Sequence, residues 1–345
     1  MRFLPEECAK YTAVKGDVLI CEGGYPGRAA IWEKDEPIYF QKALHRVRFH
    51  ESGRNKWFLY YLLAKDLDGT LKSYFNGAGI QHFTGEALAR FEVPLPPLLE
   101  QHRIVAILDE AFEAIATAKA NAEKNLQNAR AVFESYLESV FTERGPGWVE
   151  RRLGDVFDIG SSKRILETEW TASGVPFYGG KEIVKLAKYG TATSNSYISE
   201  DKYSSYASKY DMPQQNDILI TARGTIGVGY IVQAHDKFYY KDGNIISMRQ
   251  KMPTDFHFIL YAFRSNVFAG QIGDLTGTTV KHLPIEKAKE LVLRMPEYAA
   301  QIAIVTQIRK IERETQTLTQ IYQRKLSALD ELKKSLLHQA FSGTL

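Results

Sequence analysis

The sequence predicts a mixed α/β (α+β) protein that contains two copies of one unit, each a domain of mostly antiparallel sheet followed by a long helix. Two observations predict this class. Residues repeat at a spacing of 200 positions, and residues 98–144 and 298–339 contain neither proline nor glycine. The chain has 345 residues, which leaves room for two domains of ordinary size.

The repeat places residue i over residue i + 200 along much of the chain and requires no gap. Gly16–Ile20 lies over Asn216–Ile220, and Gly77–Phe83 lies over Gly277–Leu283. Glycines and turn residues coincide, and these residues carry backbone geometry rather than composition. A chance similarity between two amphipathic stretches would not keep them in one register. Further matched pairs are Gly24 with Gly224, Gly27 with Gly227, Pro96 with Pro296 and Gln101 with Gln301.

The elements of the unit are clearest in the second copy. The partly β-branched run Asp217–Ile220 predicts a strand that ends in the glycine-rich turn 221–227. Together with the strands that follow, it predicts a curved, mostly antiparallel sheet. Further strands are predicted at 228–232, 237–240, 245–248 and 291–293, a short helix at 256–263 and a loop at 277–279.

The two long helices are predicted from apolar or small residues that recur at steps of three and four. This heptad-like spacing is typical of a coiled coil, and both stripes contain one lengthened step, before Leu126 and before Leu326. A solitary helix could not bury such a stripe, so we expect the two helices to pair antiparallel. At 1.5 Å per residue, about 40 residues span roughly 60 Å. Such a pair would hold two domains at a set distance, which suits a bipartite target on an extended polymer.

Composition and charge narrow the class of protein. The net charge of +3 is mildly basic and favours nucleic acid only weakly, because a concentrated basic face matters more than the total. The spacing of Cys8 and Cys21 fits neither a zinc site nor a disulfide framework, so we expect reduced thiols in a cytoplasmic protein. The N-terminus has no apolar segment typical of a signal peptide, and no run of about 18 apolar residues predicts a membrane span.

The sequence lacks the motifs that catalysis on nucleic acids would require. It has no phosphate-binding G-x-x-x-x-G-K-[ST] loop, no Asn/Asp-Pro-Pro-aromatic tetrapeptide for adenine methylation and no glycine-rich turn suited to S-adenosylmethionine. The eight histidines form no metal-ligand pattern. The most nuclease-like fragment, Asp330–Lys333, falls within the second long helix and is expected to be a solvated face. We therefore predict no catalytic, cofactor or metal site.

Several loose motifs follow one another in a specific order along nearly the whole chain. They are Trp148-x4-Leu153-Gly154-Asp155-Val156, Gly174–Tyr178, Asp217–Gly227, Gly277–Leu283, the Pro-x4-Gln-x2-Ile-Val entry to each helix, and Leu337-x3-Phe341-Ser342-Gly343. In this order they resemble the specificity subunit of type I restriction–modification enzymes.

The resemblance implies that each half carries a target-recognition domain that reads one part of a split double-stranded DNA sequence. The helices would set the unread spacer and dock two copies of the adenine-methylating modification subunit, with a restriction subunit as a further partner. S-adenosylmethionine would bind the methyltransferase partner, while this chain would bind no cofactor and catalyse nothing. The expected segments are target-recognition domains at 1–97 and 145–297 and spacer helices at 98–144 and 298–345.

The first copy departs from this pattern, because Met1 lies over Asp201 and residues 148–200 have no counterpart. A truncated or rearranged gene, a misplaced start or a split subunit completed by another chain would each produce this pattern, and a half-specificity subunit that dimerises is one alternative. Two further functions are left open. They are a protein-binding coiled-coil scaffold and a standalone nuclease or methyltransferase.

Candidate DNA contacts follow from chemistry, since phosphates bind cations and N–H groups, and bases bind bidentate donors. The basic loop Ser161–Arg164 and the turn Thr221–Thr225 could equally be ordinary surface turns, and His282 could be a packing residue. The candidates in the second domain are Lys163, Arg164, Tyr178, Lys181, Arg223, Thr225, Thr278, Thr279, Lys281 and His282. Those in the first domain are Tyr25, Arg28, Gln81 and His82.

Overall fold

A computed structural model of the chain describes residues 10–51, 53–142, 147–210, 212–273 and 282–345. The chain divides into two compact units. Unit 1 combines Met1–Gln127 with Gln320–Leu345, and unit 2 spans Asn128–Thr319. Each unit therefore contains one sheet domain, the first part of the long helix that follows it and the last part of the other long helix.

Unit 1 contains a three-stranded antiparallel sheet with the strand order β3-β2-β5, and a separate ribbon formed by β1 and β4. Residues of β2 alternate between buried and half-buried, as expected for a strand with one face on a core. The elements are β1 (Thr12–Ala13), β2 (Val18–Cys21), β3 (Ala29–Ile31), β4 (Ile38–Tyr39), β5 (Leu44–Val47), α1 (Arg54–Leu67), a 3-10 helix (Thr70–Tyr74), α2 (Gly85–Ala89) and the first part of α3 (Leu98–Thr142).

Unit 2 contains a four-stranded antiparallel sheet, β11-β10-β13-β7, a three-stranded sheet, β12-β8-β9, and the pair β14-β6. Only the pairing of β12 with β8 is parallel among the described strands, which agrees with the predicted mostly antiparallel sheet. The elements are β6 (Val149–Arg152), α4 (Leu153–Val156), β7 (Phe157–Gly160), a 3-10 helix (Glu167–Glu169), β8 (Val175–Tyr178), α5 (Gly180–Tyr189), β9 (Tyr197–Ile198), α6 (Glu200–Ala207), β10 (Ile218–Thr221), β11 (Gly229–Ile231), β12 (Tyr239–Tyr240), β13 (Ile245–Gln250), α7 (Phe256–Arg264), α8 (Ala269–Gly273), α9 (Ile285–Glu290), β14 (Val292–Met295) and the first part of α10 (Tyr298–Ser342).

Strand β10 is buried on both faces of its sheet. Ile218 and Ile220 pack into one core cluster with Phe258 of α7, whereas Leu219 points to a second cluster that contains Ile183 of α5. All three β10 side chains are at most 1% exposed. Burial on both faces explains why this strand reads as a continuous apolar run instead of an alternating one.

Short polar residues determine where several short helices begin. The Asp255 carboxylate accepts a hydrogen bond from the Phe258 N–H at 2.9 Å at the start of α7. Ser199 caps α6 and Thr84 caps α2 in the same way. These side chains satisfy N–H groups that have no partner inside the helix.

Matching backbone conformations confirm the repeat. Gly24 and Gly224 have φ of +73° and +75°, and Gly27 and Gly227 have φ of +84° and +89°. Asn216 has φ of +74° where its counterpart Gly16 has +91°. Left-handed conformations are rare outside glycine, with asparagine among the exceptions, so their recurrence 200 positions apart reflects one shared backbone.

The prediction that each residue i matches residue i + 200 without a gap is wrong in one strand. Ile20 of β2 pairs with His45 of β5, whereas Ile220 of β10 pairs with Ile246 of β13, a spacing of 201. The shift arises in the turn before this strand, which is one residue longer in the second copy. A turn can absorb an extra residue because its backbone carries no ladder hydrogen bonds.

The long helices α3 and α10 contain 45 residues each and begin 200 positions apart. In unit 1 the Lys119 ammonium lies 2.6 Å from an Asp330 carboxylate oxygen, and Arg103 donates a hydrogen bond to the Leu345 carbonyl. Residue numbers therefore rise along α3 as they fall along α10, which confirms the antiparallel pair within this unit.

Burial along the helices follows the predicted seven-residue spacing, with Ile115, Ala122 and Ala129 at most 6% exposed. Leu318, an apolar residue of α10, is nevertheless 42% exposed. A helix pair buries only a narrow seam, so flanking apolar positions remain in contact with water.

The last part of each long helix packs on the sheet domain of its unit. In unit 1 Leu337 shares a core cluster with Trp57 of α1. In unit 2 its counterpart Leu137 shares a cluster with Phe258 of α7. None of the helices in the described part of the chain is both long and apolar enough to cross a membrane.

Candidate nucleic-acid interface

Three of the predicted DNA contacts line one cleft of about 390 Å³ in unit 2. Lys181 comes from the first turn of α5, and Arg223 and Thr225 come from the turn that joins β10 to β11. All three are exposed, and neither cation forms an ion pair with a described residue. The remaining described residues that line the cleft are Gly180, Val184, Thr221, Gly224 and Asn244, and none of these carries a carboxylate.

The turn 221–227 keeps its shape through internal hydrogen bonds. The Thr221 hydroxyl donates to the Thr225 carbonyl at 2.5 Å and accepts from the Val228 N–H at 3.0 Å. Gly224 has φ of +75°, and a Cβ there would meet no atom of a described residue within 4 Å. The turn is thus a tight structure, as the structural interpretation of its glycine requires. That a phosphate approaches this backbone stays a prediction.

His282 lies beside Arg223, since the two residues form an antiparallel β-bridge. The Leu283 N–H donates to the Ala222 carbonyl at 2.8 Å, and His282 Nε2 lies 3.1 Å from the Gly243 carbonyl oxygen. His282 therefore joins the turn at 221–225 to the turn 241–244. It has a packing role, and its half-exposed ring also lies beside the cleft residues.

The basic loop at 161–164 meets the same turn from the other side. Ser161 Oγ accepts a hydrogen bond from the Gly243 N–H at 3.3 Å and donates to the Ile245 carbonyl at 2.8 Å. The Lys163 N–H donates a hydrogen bond to the Tyr239 hydroxyl, and that hydroxyl donates to the Lys163 carbonyl. The Lys163 ammonium lies 5.6 Å from the centre of the Tyr210 ring. Lys163 and Arg164 are both exposed.

Tyr178 does not join these residues, and its assignment as a DNA contact does not fit its position. Its ring is 7% exposed and packs 4.9 Å from the ring of Phe238 in a core cluster. Its hydroxyl donates to the Ala192 carbonyl at 3.2 Å, and burial raises the pKa of that hydroxyl. The aromatic pattern at Gly174–Tyr178 thus serves the core beneath the cleft.

Three further candidates, Thr278, Thr279 and Lys281, lie outside the described residues. The loop predicted at 277–279 lies there as well. Their assignment as DNA contacts stays a prediction.

The corresponding surface of unit 1 brings its four candidates to one region. The Arg28 guanidinium lies 5.9 Å from the centre of the Tyr25 ring, and Tyr25 is 73% exposed. A Cβ on Gly23 would lie 3.1 Å from the ring of His82, and Gln81 is the exposed residue before it. The hydrogen bond from the Phe83 N–H to the Glu22 carbonyl, 2.7 Å long, repeats the Leu283 to Ala222 bond of unit 2.

Sequence reasoning missed the turn 241–244, although Ser161, Ala222 and His282 each contact it. The available signal was the Asp242-Gly243 dipeptide between two predicted strands, which is a strong turn marker. Gly243 has φ of +67°, as such a marker predicts. In the described ranges, no group of three or more His, Cys, Asp or Glu side chains is arranged to hold a metal ion.

The fold is shared with solved structures of restriction–modification proteins. A chain from a structure of the complex assembly and conformational transition of the type I R-M system superposes with a TM-score of 0.77 and 18% identity, over 97% of this chain and 83% of that one. The HsdS subunit from Thermoanaerobacter tengcongensis superposes with a TM-score of 0.65 and 19% identity, over 97% and 82%.

Sequence comparison finds the same kind of protein. A putative type I restriction enzyme specificity subunit of Haemophilus influenzae is 28% identical over 80% of this chain and 69% of its own length. The type I restriction enzyme MjaVIII specificity subunit of Methanocaldococcus jannaschii is 24% identical over 84% and 70%. The model of the type I restriction modification DNA specificity domain matches residues 2–127 and 146–325. Because these matches cover most of the chain in two copies, the protein belongs to the type I restriction–modification DNA specificity family.

Proposed function

We propose that this chain is the non-catalytic subunit that reads DNA sequence in a type I restriction–modification complex. The observation that carries the proposal is the cleft of unit 2, which Lys181 and Arg223 both line and where neither cation forms an ion pair with a described residue. Cations that no acidic side chain neutralises are suited to phosphate oxygens and to guanine edges. Family membership supports the same function.

The two halves would read the two parts of a split target. Residues 1–97 and 145–297 would be the target-recognition domains, and 98–144 and 298–345 the spacer helices. The recurrence of the Gly24 and Gly224 turns beside the candidate contacts supports two readers of common design. In the second domain Lys163, Arg164 and His282 would extend the contact surface beyond the cleft, whereas Tyr178 would act from the core.

The partners would be double-stranded DNA, two copies of the modification subunit and a restriction subunit. The long helices support this assignment, because each carries exposed apolar side chains beside its buried seam. In unit 1 Leu99 is 83% exposed and Leu332 is 46% exposed, and in unit 2 Ile302 is 43% exposed. Single exposed apolar side chains are common on protein surfaces, so these three are candidate contacts for a partner subunit and do not form a patch that requires one. S-adenosylmethionine would then bind the methyltransferase partner, and the complex would work in the cytoplasm.

The test is DNA binding by the purified full chain mixed with its methyltransferase partner, measured against a library of duplex sequences at several salt concentrations. We expect binding that weakens with salt and a preference for one bipartite motif. Equal affinity for all duplexes would contradict the proposal and favour a protein-binding scaffold. Methylation by the chain alone with S-adenosylmethionine would contradict its non-catalytic part.

A further inference from the structure

The one-residue difference between the two copies falls in a turn that lines the cleft. In unit 1 residues 41–43 join Phe40 to Leu44, whereas in unit 2 residues 241–244 join Tyr240 to Ile245. The hydrogen bond that closes the turn is the same in both copies. The Glu22 N–H donates to the Ala43 carbonyl at 2.9 Å, and the Ala222 N–H donates to the Asn244 carbonyl at 2.8 Å.

Asn244 therefore occupies the position that Ala43 occupies in unit 1, and the preceding residue Gly243 is held on two sides. The Gly243 N–H donates to Ser161 Oγ, and its carbonyl oxygen lies 3.1 Å from His282 Nε2. The left-handed φ of +67° at Gly243 lets the turn close between these partners. A backbone held by its neighbours presents the next side chain in a defined position, which is what sequence readout requires.

Asn244 is the one residue with a side-chain amide among the described residues that line the cleft. Lys181 and Arg223 can only donate hydrogen bonds, and the Thr221 hydroxyl is already bonded within its turn. The Asn244 side chain is half-buried, carries both a donor and an acceptor, and forms no hydrogen bond with a described residue. A side-chain amide can pair with adenine in two places, through its N6 amino group and its N7.

We infer that Asn244 reads a base edge, with adenine as the preferred base, and that its side-chain amide gives unit 2 a contact that Ala43 cannot give unit 1. This inference rests on the proposed function. Lys181 and Arg223 on either side would hold the DNA backbone or an adjacent base in place. Asn244 is then a specificity-determining residue, and the presence of Ala43 at the equivalent position makes the two domains read different sequences.

The experiment replaces Asn244 in the full chain and maps methylated adenines in cells that also carry the methyltransferase partner. The variants are Asn244→Ala, which removes the amide, and Asn244→Asp, which keeps its size but only accepts hydrogen bonds. Asn195→Ala, at an exposed position outside the cleft in the same unit, is the matched control. Binding of purified complexes to the parental motif and to duplexes that differ at single positions gives the discrimination factor.

We expect both variants to relax or change one position in one half of the motif, with the other half and the control unchanged. Discrimination at that position should fall about 5- to 150-fold, the range typical of one bidentate base contact. An unaltered motif with unaltered discrimination would overturn the inference. A uniform loss of affinity with discrimination retained would overturn it too, because that result describes a phosphate contact or a folding defect. If the parent shows no sequence preference, the proposed function itself fails.

Discussion

The guanidinium group of Arg249 donates hydrogen bonds to the Asp217 carboxylate from Nε at 3.0 Å and from Nη2 at 2.7 Å. Arg48 makes the same pair with Asp17 in the first copy, at 2.7 Å and 2.6 Å. The carboxylates are 200 positions apart, but the arginines are 201 apart. The ion pair has thus kept its geometry across the extra turn residue, which indicates that it secures the central strand of each sheet.

Loss of Arg48 should destabilise unit 1. Asp17 is 1% exposed, so Arg48→Ala would leave a buried carboxylate without its bidentate partner, at a cost of about 2 kcal/mol. The measurement is the free energy of unfolding in denaturant. Arg28→Ala, at an exposed arginine of the same unit, is the control and should change it by less than about 0.5 kcal/mol. Equal losses in the two variants would contradict the prediction.

The same pair should make stability depend on pH. Burial alone would raise the pKa of Asp17, but hydrogen bonds from Arg48 and from the Val14 N–H lower the pKa below its usual value. A carboxyl group with a lowered folded pKa adds stability that is complete above the unfolded pKa and is lost as pH falls through the folded pKa. The parent should therefore be more stable than Asp17→Asn at pH 7, and the difference should shrink below about pH 4. Denaturant unfolding from pH 7 to pH 3 measures it, and a constant difference would refute it.

The packing of the last helix on the first domain can be tested with two leucines of one helix. Leu337 is 1% exposed and shares a cluster with Trp57, whereas Leu332 is 46% exposed. Leu337→Ala should lower the free energy of unfolding by about 2–5 kcal/mol, because it removes contacts and leaves a cavity. Leu332→Ala should change it by less than about 0.5 kcal/mol. Thermal unfolding of both variants decides whether this part of α10 is anchored to unit 1.

The long helices and the core strands could be predicted from the sequence because their signals are local. The helix at 98–144 could be predicted from its periodicity alone, and the strand at 217–220 from its apolar residues alone. The sequence did not reveal why a glycine follows Leu153 in the Leu153-Gly154 motif. A Cβ on Gly154 would lie 3.0 Å from the Cβ of Lys289, so a larger side chain would require one of these two distant segments to shift by a few tenths of an ångström.

The candidate interface was predicted less completely, because a chain cannot reveal which loops meet. Lys181 and Arg223 were chosen for their charge and do share a cleft. Tyr178 was chosen for its aromatic hydroxyl, but long-range packing against Phe238 buries it. Asn244 was missed because its relevance depends on the position of the turn beside the cleft, and that position is fixed by partners more than 20 residues away in sequence.

Tyr178→Phe tests the assignment of this tyrosine to the core. The variant loses the hydrogen bond to the Ala192 carbonyl and should lower the free energy of unfolding by about 1 kcal/mol. Affinity for the parental DNA motif should stay unchanged, because Tyr178 is only 7% exposed and packs in a core cluster. A clear loss of DNA affinity without a loss of stability would return Tyr178 to the set of DNA contacts.

Arg223→Ala should weaken DNA binding and leave assembly with the methyltransferase partner intact. Arg223 is exposed in the cleft and forms no ion pair with a described residue, so its charge is available to DNA and its loss should not disturb the core. If it binds a phosphate, affinity falls for all sequences alike, and the slope of log affinity against log salt decreases by about 1. If it binds a guanine edge, the loss is confined to motifs with guanine at one position and amounts to about 5- to 150-fold.

Lys188→Ala, at an exposed lysine of α5 outside this cleft, is the matched control. Equal affinity and equal salt dependence in the Arg223 variant and the parent would remove Arg223 from the interface, while failure to assemble would instead assign it a structural role.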